Sequence, residues 1–143
     1  MKKLRGILLI DDDDTNNFLN HRLLNRMQIT DRIKEFRNGK QAFDYLYNIS
    51  EGHVDLSNPE YFKPSLILLD INMPVMDGFE FLALFEKLDA KFLEDVVLAL
   101  LTTSEHGQDT ERAAASGIPY LIKPLTAEKV QELLERHVPE TEG

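Results

Sequence analysis

Two short apolar runs, Ile7-Leu8-Leu9-Ile10 and Leu66-Ile67-Leu68-Leu69, each stop on aspartate, the first on Asp11 to Asp14 and the second on Asp70. A run of about four to six such residues without polar alternation reads as a strand covered on both faces, which is the signature of a parallel sheet. In such sheets ligands bind beyond the carboxyl ends of the strands, so both groups of acids fall on the functional edge. If the two strands are neighbours, ~5 Å apart, their terminal carboxylates converge. Carboxylates that close repel one another unless a divalent cation, a lysine or a proton compensates.

Strand-like and helix-like segments alternate along the whole chain, the pattern of an α/β fold. The pattern predicts strands near 6–10, 33–36, 66–70, 96–101 and 119–122, with helices near 15–27, 39–49, 77–88, 107–116 and 126–137. In the first helix Phe18, Leu19, Leu23 and Met27 approximate a 3.6-residue period, and in the last Val130, Leu133, Leu134 and His137 do the same. Thr126 is a good N-cap for the last helix, and Pro139 lies just past its end. Residues 50–64 hold two prolines and several turn-formers, which predicts a long surface loop. Tyr61 and Phe62 within it are expected to pack down and anchor it.

At 143 residues the chain has the size of one ordinary domain, expected to span 1–143 with a core of about 4–137 and a frayed tail at 138–143. No apolar run approaches the ~20 residues that cross a bilayer, and the basic N-terminus leads into too short an apolar stretch for a signal peptide. The absence of cysteine removes disulfides, thiolate metal sites and thiol nucleophiles, and fits a cytoplasmic protein. A net charge of −9 argues against a nucleic-acid backbone as partner.

Chemistry therefore concentrates at the strand ends. Asp11, Asp12 and Asp70 are hard oxygen ligands of the kind that suits Mg²⁺. Asp13 and Asp14 read instead as residues that lead into a helix and favour its positive N-terminus. Two more strand ends supply polar groups to the same edge: 96–101 gives way to Thr102-Thr103-Ser104, and 119–122 to Lys123-Pro124. A lysine there can neutralise the acids and hold a phosphoryl oxygen, while a threonine hydroxyl can donate to another. Together these residues describe a cation-assisted phosphoryl site with an aspartate placed as nucleophile. Met73 and Met76 read as packing residues. The histidines His21, His53, His106 and His137 are scattered and receive no role.

Asp11-Asp12 after the first strand, the segment Asp70-Ile71-Asn72-Met73-Pro74-Val75-Met76-Asp77-Gly78, Thr102, and Lys123-Pro124 resemble the receiver domain of two-component response regulators. The resemblance spans roughly residues 4–137, and its D-x-x-M-P-x-M-D-G segment is specific. It implies a flavodoxin-like fold: a doubly wound, five-stranded parallel sheet in the order 2-1-3-4-5 with five helices in a single domain. It also implies roles, position by position. Asp70 matches the phosphoacceptor, which takes a phosphoryl group from a histidine kinase or a histidine phosphotransfer protein. Asp12, Asp70 and the backbone carbonyl of Asn72 match the ligands of Mg²⁺ or Mn²⁺, with Asp11 acting largely through water. Lys123 matches the lysine that pairs with the acids and then with the phosphoryl group. Thr102 and Tyr120 match the switch hydroxyl and the switch aromatic. The resemblance further suggests a cis peptide at Lys123-Pro124, and a role for Asn72 and Ser104 in setting the lifetime of the acyl phosphate. Thr103 stands where a small residue is usual.

The implied function is phosphorelay signalling by a stand-alone, chemotaxis-regulator-like receiver rather than by an enzyme. No helix-turn-helix or catalytic segment is recognisable after residue 137, so output is expected through a downstream protein, or a second copy, that reads the face around 102–130. Two alternatives use the same pocket: an aspartyl-nucleophile phosphatase, and a scaffold that is never phosphorylated. The first expects a general acid two residues after the nucleophile, where this chain has Asn72. The complete set Asp11, Asp12, Asp70, Thr102 and Lys123 argues against the second.

Overall fold

The computed structural model describes residues 3–73, 75–103 and 107–138. Five strands, β1 (Ile7–Ile10), β2 (Ile33–Phe36), β3 (Leu66–Asp70), β4 (Val97–Thr102) and β5 (Tyr120–Ile122), form one sheet in the order β2-β1-β3-β4-β5. Every pairing is parallel. The all-apolar strands are the central ones, since a strand with neighbours on both sides and helices on both faces has no route to water. β1 and β3 are buried along their whole length, whereas β2 at one edge reads Ile-Lys-Glu-Phe.

The pleat sends alternate side chains to two cores. Leu8, Ile10, Ile67, Leu69, Leu98 and Leu100 meet α2 (Gly39–Ser50), α3 (Gly78–Phe85), α4 (Ala90–Leu93) and Ala113 of α5 (Gly107–Ala115) on one face. Ile7, Leu9, Leu66, Leu68, Ala99 and Leu101 meet Leu24 of α1 (Asp14–Met27) and Val130 and Leu133 of α6 (Ala127–His137) on the other. This is the doubly wound, flavodoxin-like arrangement. Among the described residues no helix is long and apolar enough to cross a membrane.

Among the described residues the helices number six rather than five. The addition, α4, is a single turn capped by Asp89, whose side chain accepts from the Lys91 N–H. Four residues are too few to show a period, and Phe92 is the residue it buries. The expected apolar stripe of α1 holds for Leu23 and Met27, which pack half-buried against the second core, but Phe18 and Leu19 are 61% and 51% exposed, and Asn17 and Leu24 are the buried pair. His137 is likewise exposed, so α6 packs through Val130 and Leu133, with Leu134 half-buried. Helix starts agree with the capping chemistry. Asp13 caps α1, Thr126 caps α6, and Asp77 forms a reciprocal capping box with Glu80 at the start of α3.

α2 runs through Ser50, and the long loop follows it. Phe62 is buried at 5% exposure and Tyr61 stacks on Tyr45, so the loop is anchored by its own aromatics. The Tyr45 hydroxyl donates to the Glu60 carbonyl and accepts from the Phe62 N–H. Arg5 adds guanidinium bonds to the carbonyls of Lys63, Pro64 and Asp95. These ties gather the loop at the amino ends of the strands, leaving the carboxyl ends clear. Pro74, Ser104, His106 and the expected tail beyond Val138 lie outside the described residues.

Candidate functional site

The register of the sheet decides where the acids meet. Ile10 is opposite Leu69 in the β1–β3 pairing, so Asp11 and Asp70 leave adjacent strands at the same level. Oxygens of Asp11, Asp12 and Asp70 all lie within 4.8 Å of one another. β4 ends on Thr102, and β5 delivers Lys123 one residue after Ile122. The Lys123–Pro124 peptide is cis.

Lys123 reaches the acids directly. Its Nζ lies 2.8 Å from Asp70 Oδ1 and 3.7 Å from Asp11 Oδ2. The lysine is held from behind, because the Lys129 ammonium donates to the carbonyls of Ile122 at 2.6 Å and Pro124 at 2.9 Å on either side of it.

The two buried acids are not equivalent. Asp11, at 2% exposure, accepts from the Asp13 N–H at 2.9 Å on one oxygen and from Asn16 Nδ2 at 3.3 Å on the other. Asp70, at 3% exposure, has among the described residues no hydrogen-bond partner for Oδ1 apart from the lysine ammonium. Burial pushes the pKa of Asp70 above the usual carboxylate range, against the hydrogen bond and charge of Lys123 and the Asn72 N–H, while the Asp11 charge reinforces the rise. Burial raises Asp11 too, opposed chiefly by the Asp13 N–H and the Lys123 charge. For Lys123 burial alone would favour the neutral amine, but the bond to Asp70 and the charges of Asp70 and Asp11 outweigh it and raise its pKa. The pocket thus confines two acids and a base whose charges are only partly balanced.

That donor set fits a hard divalent cation. It offers three carboxylates within reach of one centre, the least buried of them Asp12, and a buried Asp70 oxygen that a cation could complete. The other expected residues surround this centre. Thr102 is fully buried, and its hydroxyl donates to the Thr103 carbonyl at 3.2 Å. The Thr103 hydroxyl is buried and has no hydrogen-bond partner among the described residues. Asn72 is exposed beyond Asp70, and Tyr120 is 36% exposed at the start of β5, so its ring is not packed inward in this structure. Met73 is buried and Met76 packs against the same core, as packing residues do. Gly78 permits α3 to begin directly against the acid-bearing strand end. A Cβ there would stand 2.8 Å from Ile71 Cα and 3.0 Å from the Asp70 carbonyl oxygen, and neither backbone atom can give way.

The model of the response regulator receiver domain matches residues 7–135. The chain belongs to the response regulator receiver family. Receiver domains work in two-component signalling, where they meet histidine kinases or phosphotransfer proteins and downstream effectors. They are in general signalling modules rather than enzymes. A probable methanogenesis regulatory protein, FilR2 of Methanothrix harundinacea, is 34% identical over 130 residues, covering 90% of this chain and 78% of the relative. The crystal structure of a two-component response regulator from Cytophaga hutchinsonii superposes with a TM-score of 0.79 at 31% identity, covering 94% of this chain and 97% of that one. The receiver domain of the sensor histidine kinase PA1611 from Pseudomonas aeruginosa shares the fold, with a TM-score of 0.70 at 23% identity over 93% of this chain and 96% of its own. That crystal structure has a magnesium ion coordinated in its active-site cleft.

Three side chains that adjoin the receiver pocket escape sequence reasoning. Asn16 and Asn17 stand in the first turn of α1, where polar residues are ordinary, and only their contacts with Asp11 distinguish them. Lys129 left a trace, since it occupies the place where a capping box would carry an acid.

Proposed function

We propose that this receiver accepts a phosphoryl group on Asp70 in a magnesium-dependent reaction and thereby switches its binding to another protein. The observation that carries this reading is the buried Asp70 carboxylate, which faces Lys123 at 2.8 Å and keeps an oxygen free of any other partner. Asp70 Oδ attacks the phosphorus of a phosphohistidine on a kinase or phosphotransfer protein, the imidazole leaves, and an acyl phosphate forms. In-line phosphoryl transfer asks little of the protein beyond positioning and charge neutralisation. Asp12, Asp70 and the Asn72 carbonyl would hold a divalent cation, Mg²⁺ or Mn²⁺, with Asp11 acting through water, and that ion would supply the charge neutralisation. The same fold accommodates magnesium in the Pseudomonas receiver domain.

Lys123 carries the remaining positive charge to a phosphoryl oxygen, for which it must loosen its pair with Asp70. Thr102 gives up the Thr103 carbonyl and donates to another phosphoryl oxygen. Tyr120, half outside in this structure, follows the space that Thr102 leaves. The segment from β4 through α5 and β5 into α6 then presents an altered face to a downstream protein or a second copy. In this reading the chain folds as one receiver domain and acts in the cytoplasm.

Incubation with acetyl phosphate or phosphoramidate and Mg²⁺, followed by intact mass, tests the proposal. A phosphoryl adduct that needs Mg²⁺ and disappears in Asp70→Asn is the expected result. Fast turnover of phosphomonoesters would instead identify a phosphatase, and the absence of any adduct a scaffold.

A further inference from the structure

Asn17 is a buried amide of α1, 1% exposed in a first turn whose Asp14 and Thr15 face solvent and whose Asn16 is half-buried against Asp11. Its Nδ2 donates to the Asp11 carbonyl at 2.9 Å and approaches the Phe36 carbonyl at 3.5 Å. The Phe36 carbonyl in turn accepts from the Asp11 N–H at 3.0 Å. One side chain therefore ties the end of β1 to the end of β2 and to the start of α1.

The Asp11 carbonyl is part of the peptide plane shared by Asp11 and Asp12. Because that unit is planar, fixing its oxygen fixes the direction in which the chain leaves both α-carbons. Those two α-carbons carry two of the three clustered carboxylates. Packing does not account for the amide, since Asn17 Oδ1 is buried without a hydrogen-bond partner. An apolar side chain of similar size would fill the space without stranding an oxygen.

We infer that Asn17 is a positioning residue for the cation site: its amide holds the Asp11–Asp12 peptide plane so that both carboxylates converge on Asp70. This rests on the cation reading of the pocket given above. It extends that reading to a residue that touches neither cation nor phosphoryl group and acts only through the backbone of two acids that serve the cation, Asp12 directly and Asp11 through water. Outer residues that orient metal ligands typically alter affinity by about 10–100-fold when replaced.

The test is a calorimetric Mg²⁺ titration of the whole chain as wild type, Asn17→Ala, Asn17→Met and Leu24→Val, with urea unfolding of each measured in parallel. Leu24 is fully buried in the same helix and points at the core, so its variant reports helix destabilisation alone. Asn17→Met refills the space without a donor and carries the test if Asn17→Ala does not fold. The expected result is Mg²⁺ affinity about tenfold or more weaker in both Asn17 variants, with Leu24→Val at the wild-type value. Wild-type affinity in Asn17→Met overturns the inference, as does an equal loss in Leu24→Val. Wild-type protein that binds no Mg²⁺ overturns the cation reading itself and this inference with it, an outcome separable from the first two.

Discussion

At the scale of single residues, the pocket is governed by a contest between burial and charge. Removal of the ammonium in Lys123→Met leaves Asp11 and Asp70 buried with less compensation, so both should titrate at higher pH than in the wild type. Carboxyl ¹³C shifts followed against pH without metal measure this, and an unchanged Asp70 titration would show that the 2.8 Å pair contributes nothing. The sign of the linked stability follows from the same shifts. The folded state holds protons on Asp11 and Asp70 more tightly than the unfolded chain does. Their contribution is therefore full at low pH and is lost as pH rises out of the ordinary carboxylate range through their raised values. Asp95 behaves oppositely and lower on the scale: the hydrogen bond from Lys63 holds its pKa down, so its contribution is lost as pH falls. Urea unfolding of metal-free protein should accordingly show Asp70→Asn gaining on the wild type as pH rises toward neutrality. A constant difference across that range would contradict the assignment. Asp11, Asp12, Asp70, Thr102 and Lys123 were legible in the sequence because each stands at a strand end, a position that apolar runs mark plainly. Asn17 was not, because an asparagine in a first helical turn has the same appearance whether it faces water or a backbone carbonyl.

At the scale of elements, the site depends on how closely helices approach strand ends. Gly78→Ala puts a methyl group against the backbone of Ile71 and Asp70, so α3 must withdraw. Overpacking of this kind costs about 1–3 kcal/mol, to be read from urea unfolding. Gly78 lies in α3, so the cost is not a left-handed strain but a direct collision, and Gly78→Ser should behave alike. The loop after α2 offers a second case. Phe62→Ala removes its buried anchor and should cost about 3–5 kcal/mol by the same measurement, with little effect at the acids on the opposite edge. The strands and the helix starts were readable to within a residue, but the helix expected to run to 88 ends at Phe85, where no glycine or proline marks its end. α4 was too short for any period, and the first half of α1 misled for a physical reason. Periodicity finds apolar residues, but Phe18 and Leu19 lie on the exposed side while Asn17 takes a buried position for its hydrogen bond.

At the scale of the whole molecule, a cation bound only by the folded state adds stability in proportion to its saturation. Saturation at about a hundred times the dissociation constant adds about 2.7 kcal/mol. Thermal unfolding with and without Mg²⁺ should show this gain in the wild type and a smaller one in Asp12→Ala, whereas Ca²⁺-free NaCl at matched ionic strength should not reproduce it. A net charge of −9 makes some general salt stabilisation expected, which is why the matched control decides the matter. The parallel sheet also dictates an order of events. Asp11 and Asp70 come from the first and third strands, but the ammonium between them comes from the end of the fifth. On the ribosome the chain therefore exposes its acids well before it makes their counter-charge. Until Lys123 emerges and β5 docks, the Asp13 N–H and the Asn16 amide are the pocket's own donors to Asp11, and the charge itself is balanced only by protons or free cations, so the pocket is completed late.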